Sequence, residues 1–193
     1  CSSFQLLRDI KKNFNKIIVS TGATFDKEIK KAASILKGKK FIFLHCVTIY
    51  PTPLNKINLD RINFLKKFTK QVGFSDHSKG FNNDRNLASL MAIFFGAKYI
   101  ERHITILDKD KTKDGKVSIR PEDIKIIKDF SKLSKNEQLK YPKKKFKFNF
   151  NDLKGKKYRK LSDEEILNRD YYRGRFVSKI GSRQVYNWEE IDL

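Results

Sequence analysis

Two short segments decide the fold: Val72-Gly73-Phe74-Ser75-Asp76-His77 and, one helix later, Ala97-Lys98-Tyr99-Ile100-Glu101-Arg102-His103. Each is a mostly apolar run of strand length that ends in polar, chemistry-bearing residues. Between them Leu87, Met91, Ile93 and Phe94 keep helical spacing, and Gly96 stops the helix. Strand, helix and strand in that order form a βαβ unit, with parallel strands joined by a right-handed crossover.

The same alternation extends in both directions. Lys40 to Cys46 and Lys16 to Gly22 read as strands. Asp26 to Leu36 reads as a helix with Ile29, Ala32, Ala33 and Leu36 on one stripe and Gly38 at its stop. Phe4, Leu6, Leu7 and Ile10 mark an earlier helix, and Asn58 is expected to cap one carrying Ile62, Leu65 and Phe68. Downstream, Pro121 suits a first helical turn, followed by Ile124, Ile127 and Phe130. The strands are expected to be buried on both faces, as parallel strands are. Their C-terminal ends carry Ser20 and Thr21, Thr48 to Tyr50, Ser75 to His77, and Glu101 to His103. That edge is where α/β folds bind ligands. About four βα units over residues 1–135 make half of a (β/α)8 TIM barrel; an open four-stranded α/β sheet satisfies the same pattern.

Beyond Leu133 the character changes. Lys140 to Lys160 is lysine-rich, with Phe146, Phe148 and Phe150 alternating. An extended linker with aromatics packed on the barrel is one reading. A basic-aromatic strand for single-stranded nucleic acid is the other, and is ranked lower. Ser162 and Glu165 form a capping box for a short helix within a linker spanning 136–170. Arg173 to Ile180 reads as a strand opening a new unit over 171–193.

The chain has 193 residues, 39% hydrophobic and 34% charged, with a formal net charge of +21. No apolar run is long enough to cross a bilayer, and none has the form of a cleaved signal peptide. The chain opens at Cys1 rather than Met and stops at Leu193, so both ends are read as cuts and the chain as a fragment. Two cysteines without metal-ligand spacing, Cys1 and Cys46, point to a reducing, cytoplasmic setting. Lysine far outnumbers arginine, so the basic charge is ranked as solvated surface first, attraction for a phosphate-bearing small molecule second, and nucleic acid third.

His77 and His103 end successive strands about 5 Å apart. Two imidazoles at matching heights can share one divalent ion, with water completing the coordination; two ordinary strand-end histidines bonded to carbonyls are the alternative. Asp76 and Glu101 are candidates to orient a ligand. Ser20-Thr21-Gly22 suits an anion at a helix start, or is a plain turn with an N-cap at Thr21 or Thr24. Tyr50 lies in the rigid loop Tyr50-Pro51-Thr52-Pro53, with its hydroxyl over a substrate or in an ordinary turn. His45 and Cys46 are neighbours in a strand, point to opposite faces and are read as structural.

The stretches IIVSTGAT, FLHCVTIYPTP, VGFSDHSKG, GAKYIERHITILDKD and KDGKVSIRPEDI occur here in this order. Together they resemble the sialic acid synthase family of phosphoenolpyruvate-condensing nonulosonate synthases over roughly residues 1–135. The resemblance implies a TIM barrel followed by an antifreeze-like (SAF) domain, truncated here, and a domain-swapped homodimer. It implies condensation of phosphoenolpyruvate with an N-acetylmannosamine-type sugar aldehyde, with release of phosphate. His77 and His103 match the family's ligands to a divalent metal, Mn or Mg, and Glu101 supports that catalytic site. Ser20 and Ser75 match phosphoenolpyruvate contacts, Tyr50 and Asp114 match sugar contacts, and Thr48 stands where the family commonly has Asn. The first four barrel strands, with their phosphate-binding lysines, are not among these residues, so the isolated chain is expected to be inactive. A basic nucleic-acid-binding module and a catalytically inactive barrel homologue are the alternatives.

Overall fold

The computed structural model describes residues 1–174 and 177–186. Four parallel strands, β1 (Lys16–Ser20), β2 (Lys40–Cys46), β3 (Val72–Asp76) and β4 (Tyr99–Arg102), lie side by side in chain order. Helices α1 (Phe4–Asn13), α2 (Asp26–Leu36), α3 (Arg61–Leu65), α4 (Leu87–Phe94) and α5 (Pro121–Ser131) alternate with them. A parallel sheet in unbroken order 1-2-3-4 is the half-barrel arrangement.

The apolar stripes set the packing. Ile29, Ala32 and Leu36 of α2 are fully buried with Ile17 and Val19 of β1, Phe43 of β2 and Phe74 of β3 in one core cluster. Burying each large aliphatic side chain there contributes about 1.5–3 kcal/mol. Gly38 and Gly96 follow α2 and α4 with φ of 89° and 96°, the left-handed geometry that glycine adopts without strain at a helix stop.

Several sequence expectations need correction. The strands are not all buried on both faces: β1 alternates, with Ile18 52% exposed, and Glu101 of β4 is exposed. The cause is position, because β1 and β4 are the two edges of this sheet. Asn58 does not cap α3. It takes φ 55° and its side-chain oxygen accepts from the Lys156 amide, leaving Asp60 at the N-cap, while Phe68 lies beyond the helix end. Thr21 and Thr24 do not cap α2 either. Their hydroxyls donate to the carbonyls of Leu44 and Gly22, and the Phe25 amide donates instead to the Glu28 carboxylate.

The basic segment after residue 133 is not an extended linker throughout. It holds α6 (Lys135–Lys145) and α7 (Phe150–Lys154). Ser134 and Glu137 form a capping box that starts α6, the same motif read correctly at Ser162 and Glu165. Phe146, Phe148 and Phe150 do pack against the main core, as expected of aromatics laid on a barrel. The helix after Ser162 is α8 (Asp163–Gly174), 12 residues long, so Arg173 is helical and the next strand, β5 (Val177–Ile180), starts later than expected. It pairs antiparallel with β6 (Arg183–Tyr186). Arg175, Phe176 and the last seven positions, 187–193, lie outside the described residues.

Candidate active site at the strand ends

Register decides which side chains can meet. Ser20 pairs with Leu44, Cys46 with Ser75, and Ser75 with Glu101. Alternation then places Ser20, Cys46, Ser75 and Glu101 on one sheet face, which is the inner face of a barrel. One step past the strands, His77 and His103 have the same parity. Their rings face each other with centroids 5.4 Å apart, tilted by 54°.

Other expected residues gather around this pair. The Tyr50 ring lies 4.1 Å from that of His77. Ser75 donates its hydroxyl hydrogen to Glu101 at 2.5 Å. Asp114 holds a carboxylate oxygen 3.7 Å from His103 Nδ1. Its loop is tied down twice: Ser118 donates to the Asp114 carbonyl through its hydroxyl, and the Ile119 amide donates to the His103 carbonyl. Ser20 is exposed at the end of β1, its hydroxyl 3.4 Å from the Gly22 amide. Thr48 follows β2; its carbonyl accepts from Asn168 of α8, and its hydroxyl is buried with no partner among the described residues.

Asp76 does not belong to the pair's surroundings. It faces the helix layer, where it accepts from Ser89 of α4 and the Ser78 amide and pairs with Arg102 at 2.6 Å. This ion pair is almost wholly buried, with side-chain exposures of 0% for Asp76 and 4% for Arg102. It clamps the ends of β3 and β4 one residue before each histidine.

Electrostatics favour neutral imidazole at His77. Burial lowers its pKa from the usual 6.5, the nearby His103 adds to that, and the Val47 carbonyl with Asp76 and Glu101 opposes it. A neutral ring is the form that binds metal. His77 Nδ1 lies 3.3 Å from the Val47 carbonyl, and His103 Nδ1 lies near Asp114. Engaging one ring nitrogen with an oxygen acceptor and leaving the other unpaired is how metal-binding histidines are oriented. Among the described residues no group of three or more His, Cys, Asp or Glu could hold a metal ion. The two facing imidazoles are thus the nitrogen donors gathered here, two ligands rather than a cluster of three or more.

The contacts that Cys46 and α8 make at the strand ends were not read from the sequence. Cys46 Sγ lies 3.7 Å from His77 Nδ1, and burial raises its thiol pKa to about 11 despite hydrogen bonds with Ser20 and Ser75. The parity that separates it from His45 also places it with Ser75, a signal that was available. His45 is structural as read: its Nε2 bonds the Ile57 carbonyl at 2.6 Å, and burial lowers its pKa to about 3. Helix α8 braces the strand ends through Asn168 and through Arg169, which donates to the Ala23 carbonyl and to Glu28. That contact spans more than 100 residues and left no local mark in the sequence.

A parallel half-barrel with polar residues converging on one end of its inner face is the architecture of a barrel enzyme's active edge. Residues 1–139 match the NeuB family, and the chain belongs to that family. It is 39% identical over 128 residues to the N,N'-diacetyllegionaminic acid synthase of Campylobacter jejuni, covering 63% of this chain and 36% of that protein. It is also 39% identical over 127 residues to a pseudaminic acid synthase of the same species, covering 64% of this chain and 36% of that protein. The chain thus spans about a third of the length of the curated relatives it matches. Among solved structures, the N-acetylneuraminic acid synthetase of Leptospira borgpetersenii is 27% identical with a TM-score of 0.57, over 86% of this chain and 52% of that one. The spore coat polysaccharide biosynthesis protein spsE of Bacillus subtilis shares the fold, with a TM-score of 0.69 at 24% identity over 88% of this chain and 47% of that one.

Proposed function

We propose that these residues form one half of a nonulosonate synthase barrel that condenses phosphoenolpyruvate with an N-acetylmannosamine-type sugar aldehyde and releases phosphate. The observation that carries this reading is the facing of His77 and His103 on the inner face, with Ser75, Glu101, Tyr50 and Asp114 around them. His77 and His103 would hold a divalent metal, Mn or Mg, which when bound supplies Lewis-acid polarisation of the sugar carbonyl. Ser20 and Ser75 bind the phosphoenolpyruvate. Asp114 and Tyr50 hold the sugar, fixing its aldehyde carbon within reach of the phosphoenolpyruvate methylene. The methylene forms the new carbon–carbon bond, water adds to the carbon bearing the phosphate ester, and phosphate leaves. Glu101, bonded to Ser75, orients that hydroxyl. The unpartnered Thr48 hydroxyl supplies a further donor.

The reading includes four further strands carrying phosphate-binding lysines, an antifreeze-like unit beginning near 171, and a domain-swapped dimer in the cytoplasm. No described helix is long and apolar enough to cross a membrane. The nucleic-acid reading loses ground because Phe146, Phe148 and Phe150 are packed against the core rather than presented to bases. The test is phosphate release from phosphoenolpyruvate by the complete barrel protein, given the sugar and Mn2+. His77→Ala and His103→Ala should each lower the rate by more than about 100-fold, the upper figure for losing only a supporting contact around a metal. The isolated 193-residue chain should give no condensation. Undiminished release in the double variant would overturn the reading.

A further inference from the structure

Cys46 is the point where the candidate substrate serines meet the candidate metal histidines. It ends β2 on the inner face, opposite Ser75 in register, and its thiol is hydrogen-bonded with Ser20 and Ser75. Its sulfur lies 3.7 Å from His77 Nδ1. A Cβ added to Gly22 would stand 3.0 Å from the same sulfur, so the turn after β1 closes directly over it. The residue is 5% exposed, so the turn and the sheet leave the sulfur little contact with solvent.

We infer that Cys46 is a positioning residue: its sulfur and the Val47 carbonyl together accept the Nδ1 hydrogen of His77 and keep the Nε2 lone pair available to a metal. This rests on the metal role proposed for His77. A carbonyl oxygen can only accept, so Nδ1, 3.3 Å from the Val47 oxygen, carries the hydrogen. Nε2 is then the unprotonated nitrogen. A ring held by one long hydrogen bond can pivot about it. The sulfur, a weak acceptor of large radius, fills the space beside the ring and restricts that movement. The Ser20 and Ser75 hydroxyls act on the same thiol, and the Ser75 hydroxyl hydrogen passes to Glu101. Cys46 thus links His77 to the serines, and Ser75 hands on to Glu101, so a change at the sulfur is felt at both candidate sites.

The experiment uses the 193-residue chain. Imidazole nitrogen NMR spectra report the tautomer of His77 without metal, and electron paramagnetic resonance reports Mn2+ affinity. Wild type should show one tautomer with the hydrogen on Nδ1. Cys46→Ala should mix the tautomers and weaken Mn2+ binding by about 10-fold, the lower figure for supporting contacts around a metal ligand. Cys46→Ser, which restores a donor and acceptor, should recover part of both, and Cys1→Ser should change neither. Cys46→Val keeps the packing volume, and replaces the alanine variant should the latter fail to fold. A wild-type hydrogen on Nε2, or an unchanged single tautomer in both the alanine and valine variants, overturns the inference. The expected tautomer change without any Mn2+ binding by wild type upholds the positioning role and removes the metal reading.

Discussion

Replacing Arg102 with methionine should destabilise the chain more than any change at the histidine pair. Through Nη1 the guanidinium reaches the Asp76 carboxylate at 2.6 Å and the Ser78 hydroxyl at 3.0 Å, and through Nη2 it reaches the Arg85 carbonyl at 3.0 Å. Methionine fills much of the volume but leaves Asp76 buried and charged, with only the Ser89 hydroxyl and Ser78 amide as donors. Breaking a buried pair by removing one partner costs about 3–5 kcal/mol. That is a large share of the total stability of about 5–15 kcal/mol expected of a domain. With a urea dependence of about 2 kcal/mol per molar, the unfolding midpoint should fall by roughly 1.5–2.5 M. Asp76→Asn in the same background removes the stranded charge, so the double variant should lie above the sum of the singles, with a coupling of about 1–3 kcal/mol. Circular dichroism during urea titration measures all four corners of the cycle. An Arg102→Met unfolding free energy within about 0.5 kcal/mol of wild type, or strict additivity, would refute the view that this pair clamps the two strand ends.

Acid should expose the burial of His45. Its pKa is lowered to about 3 in the folded chain against 6.5 when unfolded, so the unfolded state binds more protons between those values. Stability from this group is complete above pH 6.5 and is lost as pH falls through about 3, by up to about 5 kcal/mol at 1.36 kcal/mol per unit. His45→Gln, which keeps an amide donor for the Ile57 carbonyl, should flatten the stability slope in that window, and a slope equal to wild type counts against the assignment. Gly22→Ala should lower the unfolding free energy by about 1–3 kcal/mol, because the new methyl would stand 2.8 Å from Thr48 Cγ2 and 3.0 Å from Cys46 Sγ. An unchanged midpoint would show that the turn is not seated on the thiol.

The barrel half was legible because its signal is local and repeated. The α2 and α4 stripes, the glycine stops and the polar strand ends each sit within a dozen residues, and the structure places α2, β2 and α4 where the spacing does. His77 and His103 could be set side by side from their places at the ends of successive strands, although that spacing also suited two ordinary strand-end histidines. What escaped depended on contacts across the chain. Asp76 looks like a site residue until Arg102 and Ser89 are seen to occupy it from the far face. Asn58 looks like a cap until Lys156 takes its side chain. The start of α6 was different: Ser134 and Glu137 carry a local capping motif, overlooked because the lysine-rich composition around it suggested a linker.

Alternation along the strands explains how the site is held. At the end of β3, Ser75 and His77 face inward while Asp76 between them faces the helices; at the end of β4, Glu101 and His103 face inward while Arg102 between them faces the helices. The outward pair is a buried salt bridge; of the inward residues Ser75 and His77 are buried, His103 is half-buried and Glu101 is exposed, polar groups that packing alone would not hold in place. A one-residue slip of either strand would put Asp76 or Arg102 on the inner face and bury a histidine among the helices. The buried ion pair therefore resists that slip, since breaking it strands a charge in the core. Register at the candidate site is enforced from the opposite side of the sheet, by residues that touch no substrate.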